Sequence, residues 1–381
     1  MDNNMLSGWK DKTLFTPGPL TTSRTVKQAM LRDMGARDST FLGAVADIRV
    51  RLLRASNLDD KRFDVVFLQG CGTYGVEAVL GCAVPRTGKV LICSNGAYGV
   101  RMVRICKTAG IAYAAITVPE NQPIQPGLVE EVLAQDSDIT HVAVVHLETT
   151  SGLVNPIEEV GAVVAEHGKS YIVDAMCSFG AVPIDFEACR IDWLITSANK
   201  CLEGIPGFTL VFARLDALKK SKENARSLSF DLYDQWAYFQ RVGQFRFTPP
   251  VQSFLAFQQA LVELEIEGGV EGRAARYKKN YELLVTGMRR IGFTEYVAPE
   301  HQGYEITTFF YPQDSSFNFD MFYDQLSQRG YDIYSGKVAE GDCFRIGNIG
   351  RIFEEDVHAL LAGIQATLRN MSVTSLNLYP L

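Results

Sequence analysis

The chain has 381 residues, enough for one large domain and a smaller one. Its 37 Lys+Arg against 44 Asp+Glu leave a formal charge of −7, so no global basic field exists to hold nucleic acid or an anionic membrane surface, and an anionic small substrate would need local cations. The start Met1-Asp-Asn-Asn-Met5 has no basic stretch followed by an apolar core, no run of about twenty apolar residues occurs, and the eight cysteines are scattered without a Cys-x-x-Cys pair or nearby histidines. These features point to a soluble, unsecreted, cytoplasmic protein with reduced cysteines and no metal centre.

Two prolines flank a glycine in Leu14-Phe-Thr-Pro-Gly-Pro-Leu-Thr-Thr-Ser23, which argues against regular structure there. The Thr-Thr-Ser end is an N-cap signal for a helix over 24–34. A fixed loop entering a helix N-terminus suits an anion or the mouth of a site, and equally an ordinary capped entry. Residues 43–56 have helical spacing, with Val45, Ile48, Leu52 and Leu53 on one side. Asp64-Val-Val-Phe-Leu68 then reads as a buried strand running into Gly70-Cys-Gly-Thr-Tyr-Gly75 and a helix over 76–83.

Gly70, Gly72 and Gly75 satisfy the G-x-G-x-x-G fingerprint of dinucleotide binding, which would make the chain a nicotinamide-dependent dehydrogenase. That fingerprint also needs a carboxylate at the end of the next strand. Here the next strand, Lys89-Val-Leu-Ile-Cys93, ends in Ser94-Asn-Gly-Ala-Tyr98 with none. A strand–glycine–helix turn still cradles phosphate through backbone N–H groups and the helix dipole, whatever molecule carries the phosphate.

The alternation continues with helices over 100–109, 127–134 and 156–166, and strands over 112–118, 140–147, 170–174, 191–196 and 208–213. This pattern predicts an α/β fold with a mostly parallel sheet covered on both faces, whose ligands lie beyond the carboxyl ends of the strands. The turn from Gly70 to Thr73, Tyr98, Thr149 and Asp174 fall at such ends. Residues 219–245 mix charges with Phe230, Tyr233, Trp236, Tyr238 and Phe239, the composition of a covering or subunit-contact region. Thr248-Pro-Pro250 opens a helix through 266, Gly268-Gly269 breaks it, and a second helix covers 270–291. The remainder reads as α+β: strand 305–311, helix 319–329, strands 331–334 and 343–346, helix 354–371. The expected division is a segment 1–20 at the site mouth, a large domain over 21–265 and a smaller C-terminal domain over 266–381.

Ser197-Ala-Asn-Lys200-Cys-Leu-Glu-Gly-Ile-Pro-Gly207 places one lysine between two apolar strands. An amine there is partly desolvated, a candidate nucleophile or Schiff-base former, although a surface turn cap is the plainer reading. Asp174 at one strand end, Lys200 after a later strand and a phosphate-cradling turn earlier are the parts a pyridoxal phosphate site requires. Read singly, Tyr98 could be a core aromatic, Asp174 a helix cap and Arg37 half of a surface salt bridge. Arg345, between Phe344 and Ile346 in a strand, calls for a bidentate anion.

Taken together, Thr16-Pro-Gly-Pro-Leu-Thr-Thr-Ser23, Gln69-Gly-Cys-Gly-Thr73, Glu148-Thr-Thr-Ser-Gly152, Val173-Asp-Ala175, Ser197-Ala-Asn-Lys200 and Phe344-Arg-Ile-Gly347 resemble the class V, fold type I aminotransferases over nearly the whole chain. The N-terminal match favours members that act on 2-aminoethylphosphonate and pyruvate over alanine:glyoxylate or serine aminotransferases. The resemblance implies a seven-stranded sheet and bound pyridoxal phosphate, with Lys200 as the Schiff-base lysine and Asp174 at the pyridinium nitrogen. It also implies Tyr98 stacked on the ring, Thr149 near the ring hydroxyl, and Cys71, Gly72, Thr73 and Asn199 around the phosphate. Thr248 would reach in from the neighbouring subunit of a homodimer, and Arg345, Arg37 and Gly18 would meet the substrate. Cys71 stands where the family commonly has serine, while Met34 and Ala36 replace its usual tryptophan and serine, which bears on the amine donor. A desulfurase reading would need a mobile cysteine, and Cys343 inside a strand is poorly placed for that.

Overall fold

The computed structural model describes residues 11–376 apart from 337, 339 and 340, so the first half of the expected 1–20 segment lies outside the described residues. Seven strands form the central sheet: β1 Phe63–Gln69, β2 Lys89–Ser94, β3 Ala112–Thr117, β4 Ile139–Val145, β5 Ser170–Asp174, β6 Trp193–Ser197 and β7 Phe208–Arg214. Their order is β1-β7-β6-β5-β4-β2-β3. Only β7 runs antiparallel to its neighbours β1 and β6; β6, β5, β4, β2 and β3 are mutually parallel.

Apart from the edge strand β3, in which only Ile116 is buried, the strands are apolar at consecutive positions because both faces are covered, and strand geometry sorts alternate residues into two cores. Val65, Phe67, Val142, Val144 and Val173 enter one buried cluster, while Val66, Leu68, Ala143, Val145 and Ile172 enter the other. The first is closed by helices α2 Ser39–Ala55, α5 Pro126–Gln135, α6 Ile157–Glu166 and α9 Val251–Ile266, preceded by the short α1 Arg24–Ala29. The second is closed by α3 Gly72–Ala83, α4 Ala97–Ala109, α7 Leu215–Lys220 and α8 Leu232–Val242. Each fully buried Val, Leu or Phe contributes about 1.5–3 kcal/mol, so a change in register is opposed on both faces at once. Phe208 stacks on Phe254 at 4.0 Å and Phe67 meets Phe254 edge-on at 5.3 Å, which pins α9 to β1 and β7.

Beyond α9, Gly268 with φ +99 starts α10 Gly269–Ile291. A three-stranded antiparallel sheet follows, ordered β8-β10-β9, from β8 Ile306–Phe310, β9 Tyr334–Ser335 and β10 Cys343–Gly347. With α11 Phe319–Gln328 and α12 Glu354–Asn370 it surrounds a third core that includes Leu284, Met288, Phe309, Phe344 and Leu360. Phe15 belongs to this third core, because Thr13–Leu14 pairs in parallel with Tyr331–Asp332. Among the described residues no helix is long and apolar enough to cross a membrane.

Several expected boundaries move. The helix expected over 24–34 stops at Ala29, where Met30 caps it and Leu31 is left 82% exposed. The helix expected from 43 begins at Ser39 because Asp38 accepts the N–H of Thr40 at 2.8 Å. The helix expected from 76 begins at Gly72, so Gly72 and Gly75 lie in its first turn. The aromatic region over 219–245 contains α8, and the strand expected over 331–334 divides between Tyr331–Asp332, which binds the N-terminal segment, and β9.

Candidate active site

Strand ends build the site. At the carboxyl ends of the parallel strands a cavity of about 210 Å³ is bordered by Cys71, Gly72 and Thr73 at the start of α3, by Tyr98 and Arg101 on α4, and by Thr149 after β4. Asp174 closes β5, and Ser197, Asn199 and Lys200 follow at the end of β6.

Lys200 sits in a turn whose shape is imposed from below. The Glu203 N–H donates to the Lys200 carbonyl at 2.8 Å, and the Gly204 N–H to the Ala198 carbonyl at 2.8 Å. Glu203 holds φ at 57°, a region costing a non-glycine residue about 1–2 kcal/mol. Its buried carboxylate accepts from Arg276 at 2.7 Å and from the Tyr277 hydroxyl at 2.8 Å, both on α10. Arg273, fully buried, donates to the Cys201 carbonyl at 2.5 Å and to Glu267 at 2.7 Å. The turn is thus tied to α10 by charge-assisted bonds that are removed from water.

From above, the N-terminal segment crosses the lysine. Lys200 Nζ donates to the carbonyl of Pro17 and, at 3.5 Å, to that of Gly18. Gly18 has φ +107, and a Cβ there would lie 2.7 Å from Lys200 Cδ and Nζ. Glycine alone satisfies both the backbone angle and the close approach.

Asp174 is 3% exposed and accepts the Met176 N–H at 3.0 Å. Burial pushes its carboxyl up to about 7, against the pull of Arg101 and Lys200. A positive group placed beside it would restore the ionised form. Tyr98, at the start of α4, has its hydroxyl pushed up to about 12 by burial, and its N–H reaches Glu148 at 3.2 Å. The Thr149 hydroxyl donates to Cys177 Sγ at 3.1 Å. The first N–H groups of α3, at Gly72 and Thr73, are left over by the helix as at any helix start, while the Tyr74 N–H donates to the Cys71 carbonyl at 2.9 Å; Cys71 stands at the N-cap without a side-chain cap bond. Ser197 Oγ is buried on the cavity wall with no partner among the described residues.

Of the residues expected from sequence, Cys71, Gly72, Thr73, Tyr98, Thr149, Asp174, Asn199 and Lys200 all border this one cavity, and Gly18 lies against Lys200. Arg345 stands behind the wall: it is 2% exposed, donates to the carbonyls of Thr149 at 3.0 Å and Ser335 at 3.1 Å, and lies 5.9 Å from the Tyr334 ring centroid. Among the described residues it has no carboxylate partner. Burial lowers its pKa, the signature of an incompletely neutralised cation. Thr248 is exposed and lines a separate cleft of about 410 Å³ with Phe247 and Pro249. Arg37 is exposed before α2 and does not border the cavity. Cys343 is buried in β10. Arg101 and Ser197 were not singled out in the sequence; the signal for Arg101 was its place three residues after Tyr98, on the same face of one helix.

Residues 24–338 match the model of the family described as aminotransferase class-V. The chain belongs to the class-V aminotransferases. It is 48% identical over 357 residues to the 2-aminoethylphosphonate--pyruvate transaminase of Salmonella heidelberg, covering 93% of this chain and 97% of that one. It is 46% identical over 349 residues to the enzyme of the same name from Bacillus cytotoxicus, covering 91% and 95%. The solved pyridoxamine-pyruvate aminotransferase of Mesorhizobium loti superposes with a TM-score of 0.88 at 26% identity, over 97% of this chain and 95% of that one. Membership in this family supersedes the dehydrogenase reading of Gly70 to Gly75 and makes the chain a pyridoxal-phosphate enzyme of fold type I. The residues present fit that cofactor: the helix start at Gly72 and Thr73, the Ser197 hydroxyl with no partner among the described residues, a buried carboxyl and a lysine share one cavity.

Proposed function

We propose that this class-V aminotransferase moves the amino group of 2-aminoethylphosphonate to pyruvate, yielding phosphonoacetaldehyde and L-alanine, as part of phosphonate metabolism. The observation that carries the reading is the convergence of Lys200, Asp174 and the start of α3 on one cavity, with Arg345 behind its wall and, among the described residues, no carboxylate against it.

Pyridoxal phosphate, when bound, supplies an aldehyde that takes up the amine and a ring that accepts the electron pair released beside the nitrogen. Lys200 is the residue that would bond that aldehyde and, when released, take a proton from the donor's carbon as base and give it as acid to the former aldehyde carbon. The Pro17 and Gly18 carbonyls accept from its Nζ, which limits where the amine can swing. Asp174 offers a carboxyl whose charge is costly unless a positive N–H faces it, so it suits a protonated ring nitrogen. Tyr98 supplies the aromatic wall, Thr149 a hydroxyl near the ring oxygen, and Cys71, Gly72, Thr73 and Asn199 the phosphate cradle. Arg345 holds the phosphonate in one half-reaction and the carboxylate of pyruvate or alanine in the other, since a guanidinium fork accepts either.

We further infer a cytoplasmic homodimer in which Thr248, exposed beside its own cleft, enters the partner's site, and Arg37 meets substrate at the mouth. We also propose a division into residues 1–20, 21–265 and 266–381; what supports its C-terminal unit is a third apolar core, distinct from the two sheet cores, to which Phe15 also contributes. Amine-donor profiling tests the reaction: alanine formed from pyruvate should be far faster with 2-aminoethylphosphonate than with serine, aspartate or other amines. Equal or faster turnover with an α-amino acid donor overturns the assignment in favour of another class-V activity.

A further inference from the structure

Among the described residues, Arg101 is the one bordering the cavity besides Lys200 that carries a positive charge. It lies on α4 one turn beyond Tyr98, and its guanidinium does two things at once: it donates to the Thr73 hydroxyl at 3.1 Å and lies 4.6 Å from the Tyr98 ring centroid. Among the described residues it has no carboxylate partner, so its charge is not spent inside the chain. Lys200, the other cation, is turned toward the Pro17 and Gly18 carbonyls.

We propose that Arg101 is the counter-charge of the cofactor's phosphate, holding the dianion from the α4 side while α3 holds it from below. The inference rests on the pyridoxal-phosphate reading of the site. A helix N-terminus offers roughly half a positive charge, too little against a phosphate dianion. Cys71 adds a thiol, a weaker donor than a hydroxyl. Thr73, bonded to Arg101, is placed so that its hydroxyl and the guanidinium present donors to the same anion. The same guanidinium covers the Tyr98 ring, so the group that neutralises the phosphate also fixes the aromatic wall.

The test uses protein stripped of cofactor and three probes: inorganic phosphate, pyridoxal and pyridoxal phosphate, each titrated calorimetrically into the wild type, Arg101→Met and Arg101→Lys. Arg101→Met should weaken phosphate and pyridoxal phosphate binding roughly tenfold or more, the usual worth of a hydrogen bond to a charged group, and leave pyridoxal binding within about twofold of wild type. Arg101→Lys, which keeps the charge, should recover most of the phosphate affinity. Unchanged phosphate binding in Arg101→Met overturns the proposal, as does an equal loss for pyridoxal and pyridoxal phosphate, which would mark a packing defect. A wild type that binds neither pyridoxal phosphate nor phosphate overturns the cofactor reading along with it, whereas intact wild-type binding with an unaffected Arg101→Met overturns this proposal alone.

Discussion

The floor of the cavity and its mouth are built on different principles. The floor is buried: Asp174, Thr149 and Ser197 are each at most 3% exposed; Asp174 and Ser197 are aimed by strands buried on both faces, and Thr149 stands in the tight turn between the paired Leu147–Glu148 and Leu153–Val154. The cavity's surroundings are built by segments that meet from far apart in the chain: Gly18 lies over Lys200, and behind the wall Arg345 reaches Thr149 across 196 positions of sequence, whereas Thr248 and Arg37, proposed to complete the mouth, are exposed and do not border the cavity. Rigid floor and assembled mouth imply different costs for change. Damage to the floor should abolish chemistry, and damage to the mouth should alter which substrate is held.

Lys200→Ala draws that contrast most sharply: losing the acid–base role alone should cost at least about 10²–10⁴-fold in turnover, with folding intact by circular dichroism. A variant with near-normal turnover would put the chemistry elsewhere. Arg345→Met comes next. Removing the charged anchor should lower kcat/KM for both the aminophosphonate and pyruvate by about 1.5–3 kcal/mol, with cofactor absorbance kept; a loss confined to one substrate would show that the two anions bind at different places. Gly18→Ala should destabilise by about 1–2 kcal/mol through its positive φ and slow turnover through the displaced lysine, measured as a lower melting temperature together with a lower kcat.

The floor should also be visible in the pH dependence of the cofactor-free protein. Asp174 is raised to about 7 and Glu305, fully buried, to about 8, both by burial. A carboxyl with a raised folded-state pKa binds more protons when folded, so its contribution is complete below the unfolded value and is lost as pH rises toward the folded one. His141 and His146, pushed down to about 4 by burial, act in the opposite sense, but only below their ordinary value of 6.5. Between pH 6.5 and 8 stability should therefore fall as pH rises, by at most about 1.4 kcal/mol per unit for each carboxyl. Glu305→Gln should flatten the slope, and Asp174→Asn should flatten its lower end; denaturant midpoints across that range check both. The smallest effect expected is Cys71→Ser, which replaces a thiol by a hydroxyl and should tighten cofactor binding by about 0.5–1.5 kcal/mol.

The same contrast decides what could be read from sequence. Seven strands with apolar residues at consecutive positions, such as Val65-Val66-Phe67-Leu68, declare a doubly covered sheet, and Asp174 and Lys200 stand at strand ends where such a sheet binds its ligands. Helix starts are less legible: Asp38 caps its helix through a single bond from the Thr40 N–H, and Gly72 enters α3 behind Cys71, which makes no side-chain cap bond, so both leave weak composition signals. Arg101 escaped notice because a lone arginine on an amphipathic helix resembles any solvated residue until Thr73 arrives from another segment. Arg345 was singled out, yet its carbonyl partners Thr149 and Ser335 come from long-range packing that no local pattern encodes.

The most direct test of the account is to reduce the cofactor-loaded protein with borohydride, digest it and locate the trapped cofactor by mass spectrometry. The cofactor mass should appear on one peptide, at Lys200. Its attachment to any other lysine, or no covalent attachment in protein that carries the cofactor, would contradict the account.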